Sequence, residues 1–183
     1  MKSHISKIAS VCFFHLRRLR QLRGVVTDKS MKHLVTSMVL SRIDYCNSEL
    51  FGLPASTLAP LQCVQNVAAQ LVLKLDHRTP VKSALQRLHW LPVKARTEFK
   101  IATLMHAIHR QRGPAYLSNM MQFNTAESAR LQLRSSTTNA VFVVRTRTQF
   151  GKRAFSVCCP SIWNQISPSH QKPSFCSGFS QSS

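Results

Sequence analysis

The acidic side chains are the first place to look for catalysis, and the sequence holds only six of them. Metal-dependent phosphoryl or nucleotidyl transfer needs clustered carboxylates, because two divalent ions must be held a few ångströms apart. Here the acids are scattered, and the chain has neither a glycine-rich phosphate loop nor a G-x-S-x-G nucleophile elbow. We therefore expect no catalytic residues, no cofactor and no independent enzyme activity. The six acids are Asp28, Asp44, Glu49, Asp76, Glu98 and Glu127.

Histidines and cysteines offer weaker chemical alternatives. His106 and His109 lie three residues apart and face one side of a predicted helix, but a metal site needs a third ligand. Ordinary surface or interface histidines are therefore favoured, and we expect no metal. A cysteine–histidine nucleophile would have to use Cys46 or Cys63, and each is predicted to be a buried small hydrophobic residue. None of the six cysteines forms a C-x-x-C pair, so reduced and mostly buried thiols are expected.

Charge is the strongest signal in the composition. The chain has 25 Lys and Arg residues against 6 Asp and Glu residues, which gives a net charge of +19 with histidine neutral. This imbalance favours RNA, DNA or an anionic membrane as partner. Two groups of cations are predicted to hold nucleic-acid phosphates without reading sequence, and a solvated basic face is the competing interpretation of each. The first group is Lys7, Arg17, Arg18, Arg20 and Arg23, and the second is Arg145, Arg147, Lys152 and Arg153.

Hydrophobic periodicity predicts a mainly α fold, an irregular helical bundle with a small mixed α/β appendage at its C-terminal end. The predicted domains are a helical body over 1–122, a polar linker over 123–139, the appendage over 140–166 and a disordered Ser-rich tail over 167–183. Helices are predicted over 4–23, 29–51, from Ser56 or Thr57 onward, over 81–88, over 92–112 and over 156–166. Strands are predicted over 140–148 and 149–155. Trp90 and Trp163 are expected to anchor cores rather than to stack on bases.

Several short strings carry more information than helical pattern does. Together they cover much of the chain, in a fixed order and at fixed distances. They are KSHI at 2–5, SRIDYCNS at 41–48, GLP at 52–54, LQCVQNVAA at 61–69, LHWLPV at 88–93, PAYLS at 114–118, LRSS at 133–136, VRTR at 144–147, FGKRAFSV at 150–157 and PSIWN at 160–164.

In this order the set closely resembles the C-terminal part of non-LTR retrotransposon polyproteins of the LINE-like, jockey type, over about residues 2–170. The resemblance implies that residues 2–5 follow the reverse transcriptase palm and that the first helices belong to the thumb and the region beyond it. It implies RNA or a primer–template duplex as ligand and the absent palm as a further partner. The family's catalytic aspartates precede this segment, so none is carried over to a position here.

Two departures from the family pattern lead to alternatives. The connector over 75–80 is a few residues short, and 173–183 is Ser-rich where the family has a basic helix. Both are expected of a decaying copy, so one alternative is a translated relic with no function of its own. Residues 1–26 also suit a mitochondrial presequence, and the first helix suits an anionic membrane surface. No transmembrane segment or secretory signal is visible, and a nuclear or cytoplasmic location is expected.

Overall fold

The chain is described by a computed structural model that covers residues 1–45, 47–76, 78–121 and 141–166. Over these residues the protein is mainly α, as predicted, and no β-strand is present. A π-helical segment covers Thr36–Leu40, and 3₁₀ turns occur at Leu22–Gly24, Asn47–Leu50 and Gly151–Arg153. The helices are α1 Lys2–Gln21, α2 Asp28–Val35, α3 Ser41–Asp44, α4 Ala55–Leu73, α5 Val81–Leu88, α6 Val93–His109, α7 Ala115–Asn119 and α8 Phe155–Gln165.

The molecule divides into two compact units, residues 1–100 and residues 101–183, and the division falls inside α6. The predicted boundary lay later, at the end of a body over 1–122. The whole of the predicted linker over 123–139 and the whole of the predicted disordered tail over 167–183 lie outside the described residues. None of the helices in the described ranges is long and apolar enough to cross a bilayer.

The core of the first unit is built where α1 packs against α4, with α2 beside them. The apolar residues of α1 recur at three- and four-residue steps, so they line one side of the helix and are buried together. The matching residues of α4, including Leu61, Val64 and Ala68, are fully buried. The α1 residues in this core are Ile5, Ala9, Cys12, Leu16 and Leu19.

The helix predicted over 29–51 is interrupted, and hydroxyl side chains explain where. Thr36 donates a hydrogen bond to the Lys32 carbonyl oxygen at 2.8 Å, and Ser37 donates one to the Leu34 carbonyl oxygen at 3.1 Å. Such bonds compete with the regular helical ladder and bend it. The ladder widens to a π-helix at Thr36–Leu40, and the helical run stops at Tyr45, whose backbone is extended.

Two side-chain amides of α4, one fully buried and one half-buried, fix the turn that precedes α6. Gln65 is fully buried in α4, and its Nε2 donates a hydrogen bond to the Leu91 carbonyl oxygen at 2.8 Å. The Gln62 Oε1 accepts a hydrogen bond from the Val93 backbone N–H at 2.9 Å, at the first residue of α6. Gln62 also donates to Gln65 at 3.1 Å, so the two amides act together. Trp90, half-buried against the same core, is thereby held in an apolar elbow, as expected.

In the second unit the predicted strands are wrong for the described residues. Residues 142–146 have no regular secondary structure, and a turn and the 3₁₀ helix Gly151–Arg153 occupy 149–153. β-Branched side chains favour a strand only where a neighbouring strand accepts the hydrogen bonds. Within the described residues, the backbone of Val141 is hydrogen-bonded to the side-chain amide of Asn164. The amide accepts from the Val141 N–H at 3.0 Å and donates to the Val141 carbonyl oxygen at 2.9 Å.

Of the four cysteines that the structure describes, three follow the prediction of buried thiols, while Cys46 and Cys176 lie outside the described residues. Cys12, Cys158 and Cys159 are buried, while Cys63 is exposed on α4, contrary to the expectation that it is buried. Burial raises the pKa of the Cys12 thiol, and the hydrogen bond with Cys158, together with burial, raises the pKa of Cys159. The thiols of Cys12 and Cys159 are therefore kept protonated and unreactive.

Candidate nucleic-acid interface

The outer side of α1 carries the first predicted group of cations. Burying the apolar side of the helix against α4 leaves Lys7, Arg17, Arg18 and Arg20 exposed to solvent. The helix contains no acid, and none of the four cations forms an ion pair with a carboxylate in the described part of the chain. Arg18 and Arg20 also lie in the last turn, where a positive charge complements the helix dipole. The result is a basic ridge whose charge is not compensated within the first unit.

Three of the acids are engaged with other cations. The Asp44 carboxylate pairs with Arg96, whose Nε lies 2.8 Å from Oδ1 and whose second nitrogen bonds Oδ2. Glu98 lies 3.9 Å from Lys94 one turn away on α6. Asp28 pairs with Arg23 and with Lys74, as described next. These carboxylates bind elsewhere in the fold, so they do not neutralise the α1 ridge.

Arg23 is an exception within the first predicted group, because its guanidinium is used inside the fold. Its side chain is only 12% exposed. Nε donates to the Leu71 carbonyl oxygen at 2.9 Å, and Nη2 donates to the Val72 carbonyl oxygen at 3.0 Å, so Arg23 caps the C-terminal end of α4. Nη2 also lies 2.6 Å from Asp28 Oδ1, and this hydrogen bond lowers the pKa of the Asp28 carboxyl. Arg23 therefore leaves the candidate interface.

One aromatic residue on the ridge was missed at the level of sequence. Phe14 is 51% exposed, and the Arg18 guanidinium lies over its ring at 5.3 Å from the centroid. Lys7, Val11, Phe14 and Arg18 follow one another at three- and four-residue steps, which places them in a single row along α1. The four-residue spacing from Phe14 to Arg18 is the signal that could have found it. A row of cations with an aromatic face suits both phosphates and bases.

The second predicted group is less coherent. Arg145, Arg147 and Lys152 are exposed, whereas Arg153 is half-buried and interacts within the protein. In the strand predicted over 140–148, alternation of side chains would put Arg145 and Arg147 on one face, but that segment is not a strand. The alternation that would have aligned them is therefore absent. These residues carry less of the argument than the α1 ridge does.

The histidine pair of α6 packs on a tryptophan. In the second unit the His109 ring stacks on Trp163, with 4.5 Å between centroids and 24° between planes, and His106 lies at 6.4 Å from the same ring. Trp163 is buried, as expected of a core anchor. Burial, and secondarily the neighbouring His106, lower the pKa of His109. Among the described residues no group of three or more metal-ligating side chains is assembled.

Comparison with known proteins identifies no relative of this chain. No family model matches the chain, no curated protein matches it, and no solved structure matches it.

Proposed function

We propose that this chain is a non-catalytic segment of the post-palm type found in non-LTR retrotransposon reverse transcriptases, and that it binds RNA or a primer–template duplex. The observation that supports binding is the α1 ridge, where Lys7, Arg17, Arg18 and Arg20 are exposed without a carboxylate partner in the described chain. The retrotransposon assignment rests on the sequence strings alone.

Binding of this kind works by charge. Each cation that neutralises a phosphate releases condensed counterions, so affinity falls as salt rises, with a slope of about −0.7 to −0.9 for each phosphate contacted. Contacts to phosphates carry no sequence information, so the protein is expected to tolerate any sequence. Catalysis is not part of the proposal, because the six acids are scattered along the chain.

The test compares two triple variants of the full chain that remove equal charge. One variant, Arg17→Gln with Arg18→Gln and Arg20→Gln, strips the α1 ridge. The control, Lys29→Gln with Lys82→Gln and Arg87→Gln, changes exposed cations of α2 and α5.

Affinity for single-stranded and duplex RNA is measured by fluorescence anisotropy at several salt concentrations. We expect the ridge variant to flatten the salt slope by about 2 to 3 and the control to change it much less. Equal effects of the two variants would show that net charge, and not the ridge, governs binding.

Membrane binding is the second candidate, because Val11 and Phe14 are exposed beside Lys7 and Arg18. An interfacial helix needs a broad apolar face. The broad apolar face of α1 is buried in the core, so only the narrow row remains for lipid. Flotation of the protein with vesicles that contain or lack acidic lipid distinguishes the two functions. Imaging of an N-terminal fusion tests the alternative that residues 1–26 are a mitochondrial presequence. Detection of the endogenous protein tests the alternative that the chain is a relic with no function of its own.

A further inference from the structure

A groove runs along the first unit between α1 and the segment that contains the π-helix and α3. Its volume is about 640 Å³. On the α1 side the groove is lined by a row of residues that lie three or four positions apart along the helix. These residues are His4, Lys7, Ile8 and Val11. On the other side Ser37, Ser41 and Tyr45 follow one another at four-residue steps. The groove thus lies between two rows of side chains.

The lining suits a nucleotide better than a purely apolar ligand or a cation. It holds the cationic side chains of Lys7 and Arg42 together with the imidazole of His4, and no carboxylate is among its residues. Between these charges lie apolar surface from Ile8 and hydroxyl groups from the two serines. Cationic, hydroxyl and apolar groups in one cleft correspond to the phosphate, sugar and base of a nucleotide.

Tyr45 offers the stacking surface. It ends α3 with an extended backbone at φ −65° and ψ 120°, and 73% of the residue is exposed. The π-helical segment lies just before α3. Its hydrogen-bonded turns each hold one residue more than those of an α-helix, so it changes the angular position of the residues after Leu40 around the helix axis. Short π-helical segments are rare and occur often at functional sites. An aromatic ring that is exposed at the edge of a basic groove is the arrangement by which proteins stack unpaired bases.

We infer that this groove binds an unpaired base of a single-stranded nucleic acid, stacked on Tyr45, with the adjoining phosphates held by Lys7 and Arg42. The inference rests on the proposed function and narrows it. A base inside a duplex is covered on both faces, so the groove selects single strands. Lys7 and Val11 belong to both the groove and the α1 ridge, so the strand continues past Phe14 to Arg18, about 16 Å along the helix axis from Lys7.

The experiment uses the full chain and two probes, a short single-stranded oligouridine and a blunt-ended RNA duplex. Tyr45→Ala removes the ring, and Tyr45→Phe retains it. Tyr116→Ala, at an exposed tyrosine of α7, is the matched control. Circular dichroism confirms that each variant is folded. We expect Tyr45→Ala to weaken oligouridine binding by about 5- to 150-fold and to leave duplex binding unchanged. Tyr45→Phe and Tyr116→Ala should both bind like the parent.

The outcomes separate the groove from the ridge. If Tyr45→Ala leaves oligouridine binding unchanged, or weakens both probes equally, while the ridge variant loses both, the groove assignment is wrong and the proposed function stands. If the parent protein binds neither probe in a salt-dependent way, both proposals are wrong. Selective loss of single-strand binding in Tyr45→Ala, together with retention in Tyr45→Phe, supports the stacked base.

Discussion

The amide of Gln65 provides the sharpest test of how the first unit is held together. Replacing Gln65 with Leu keeps the side chain close in volume and removes its polar atoms. The change deletes the bond from Gln62, with a net value of about 0.5–1.5 kcal/mol, and leaves the Leu91 carbonyl without its partner, which costs about 1–3 kcal/mol more. We therefore expect the free energy of unfolding to fall by about 1.5–4.5 kcal/mol, a large share of a typical domain's total of about 5–15 kcal/mol.

Urea unfolding followed by far-ultraviolet circular dichroism measures this loss. The matched control is Gln86→Leu, at an exposed position of α5, where a change within about 0.5 kcal/mol is expected. If Gln65→Leu lowered the free energy of unfolding no more than the control did, the reasoning would be refuted. The buried amide would then stabilise the fold no more than a leucine side chain does.

Gln65→Glu adds an independent check through its pH dependence. A carboxyl group at this fully buried position faces the Leu91 carbonyl oxygen, to which only a protonated acid can donate a hydrogen bond. Desolvation raises the pKa of such a group in the folded state. The variant is therefore most stable below the unfolded pKa of about 4.3 and loses stability as the pH rises through the folded pKa. The range from pH 4 to pH 7 brackets this titration. If the free energy of unfolding of the variant changed with pH no more than that of the parent over this range, the burial of position 65 would be contradicted.

Three further outcomes are expected from contacts described above. Arg23→Gln should lower the free energy of unfolding by about 1.5–3 kcal/mol and let the pKa of Asp28 rise, as followed by NMR titration; an unchanged Asp28 pKa would exclude the contact. Because the Asp28 pKa is lowered in the fold, its contribution is present above its unfolded pKa and disappears as the pH falls through the folded pKa. The variant should show a weaker dependence, since Lys74 still lies beside Asp28. Asn164→Ala should speed hydrogen exchange at the Val141 amide, and unchanged protection would disprove the pairing. The pKa of His109 should lie below the usual histidine value of about 6.5, so the free energy of unfolding should decline as the pH falls below about 6.5. A measured His109 pKa at or above 6.5 would refute its burial against Trp163.

Local pattern was enough to predict the helices whose apolar residues repeat regularly. The steps from Ile5 through Cys12 to Leu19 predict both α1 and the side that it buries, and the structure confirms both. Pattern was not enough where distant chain decides the outcome. Arg23, like Arg20, follows an apolar residue in a basic stretch, and only α4, 48 residues further on, determines that the Arg23 guanidinium caps a helix end and does not face solvent.

The strand prediction fails for a related reason. Valine-rich sequence favours an extended backbone, but a strand exists only when another strand pairs with it. The bonds of Val141 go to Asn164, and no periodicity in the sequence indicates this. The position of Tyr45 likewise could not be predicted from the sequence. It follows the π-helical segment, which hydroxyl side chains introduce into an apparently regular helix.

The pairing of α1 with α4 also has a consequence during synthesis. Roughly fifty residues of chain separate the end of α1 from the end of α4, and ribosomes add about 5–20 residues per second, so α1 waits about 3–10 s for its partner to emerge. Throughout that interval its apolar side is uncovered and its cations face the ribosome's own RNA. Under the proposed function, ribosomal RNA is the first polyanion within reach of this helix, and we expect folding onto α4 to compete with binding to it.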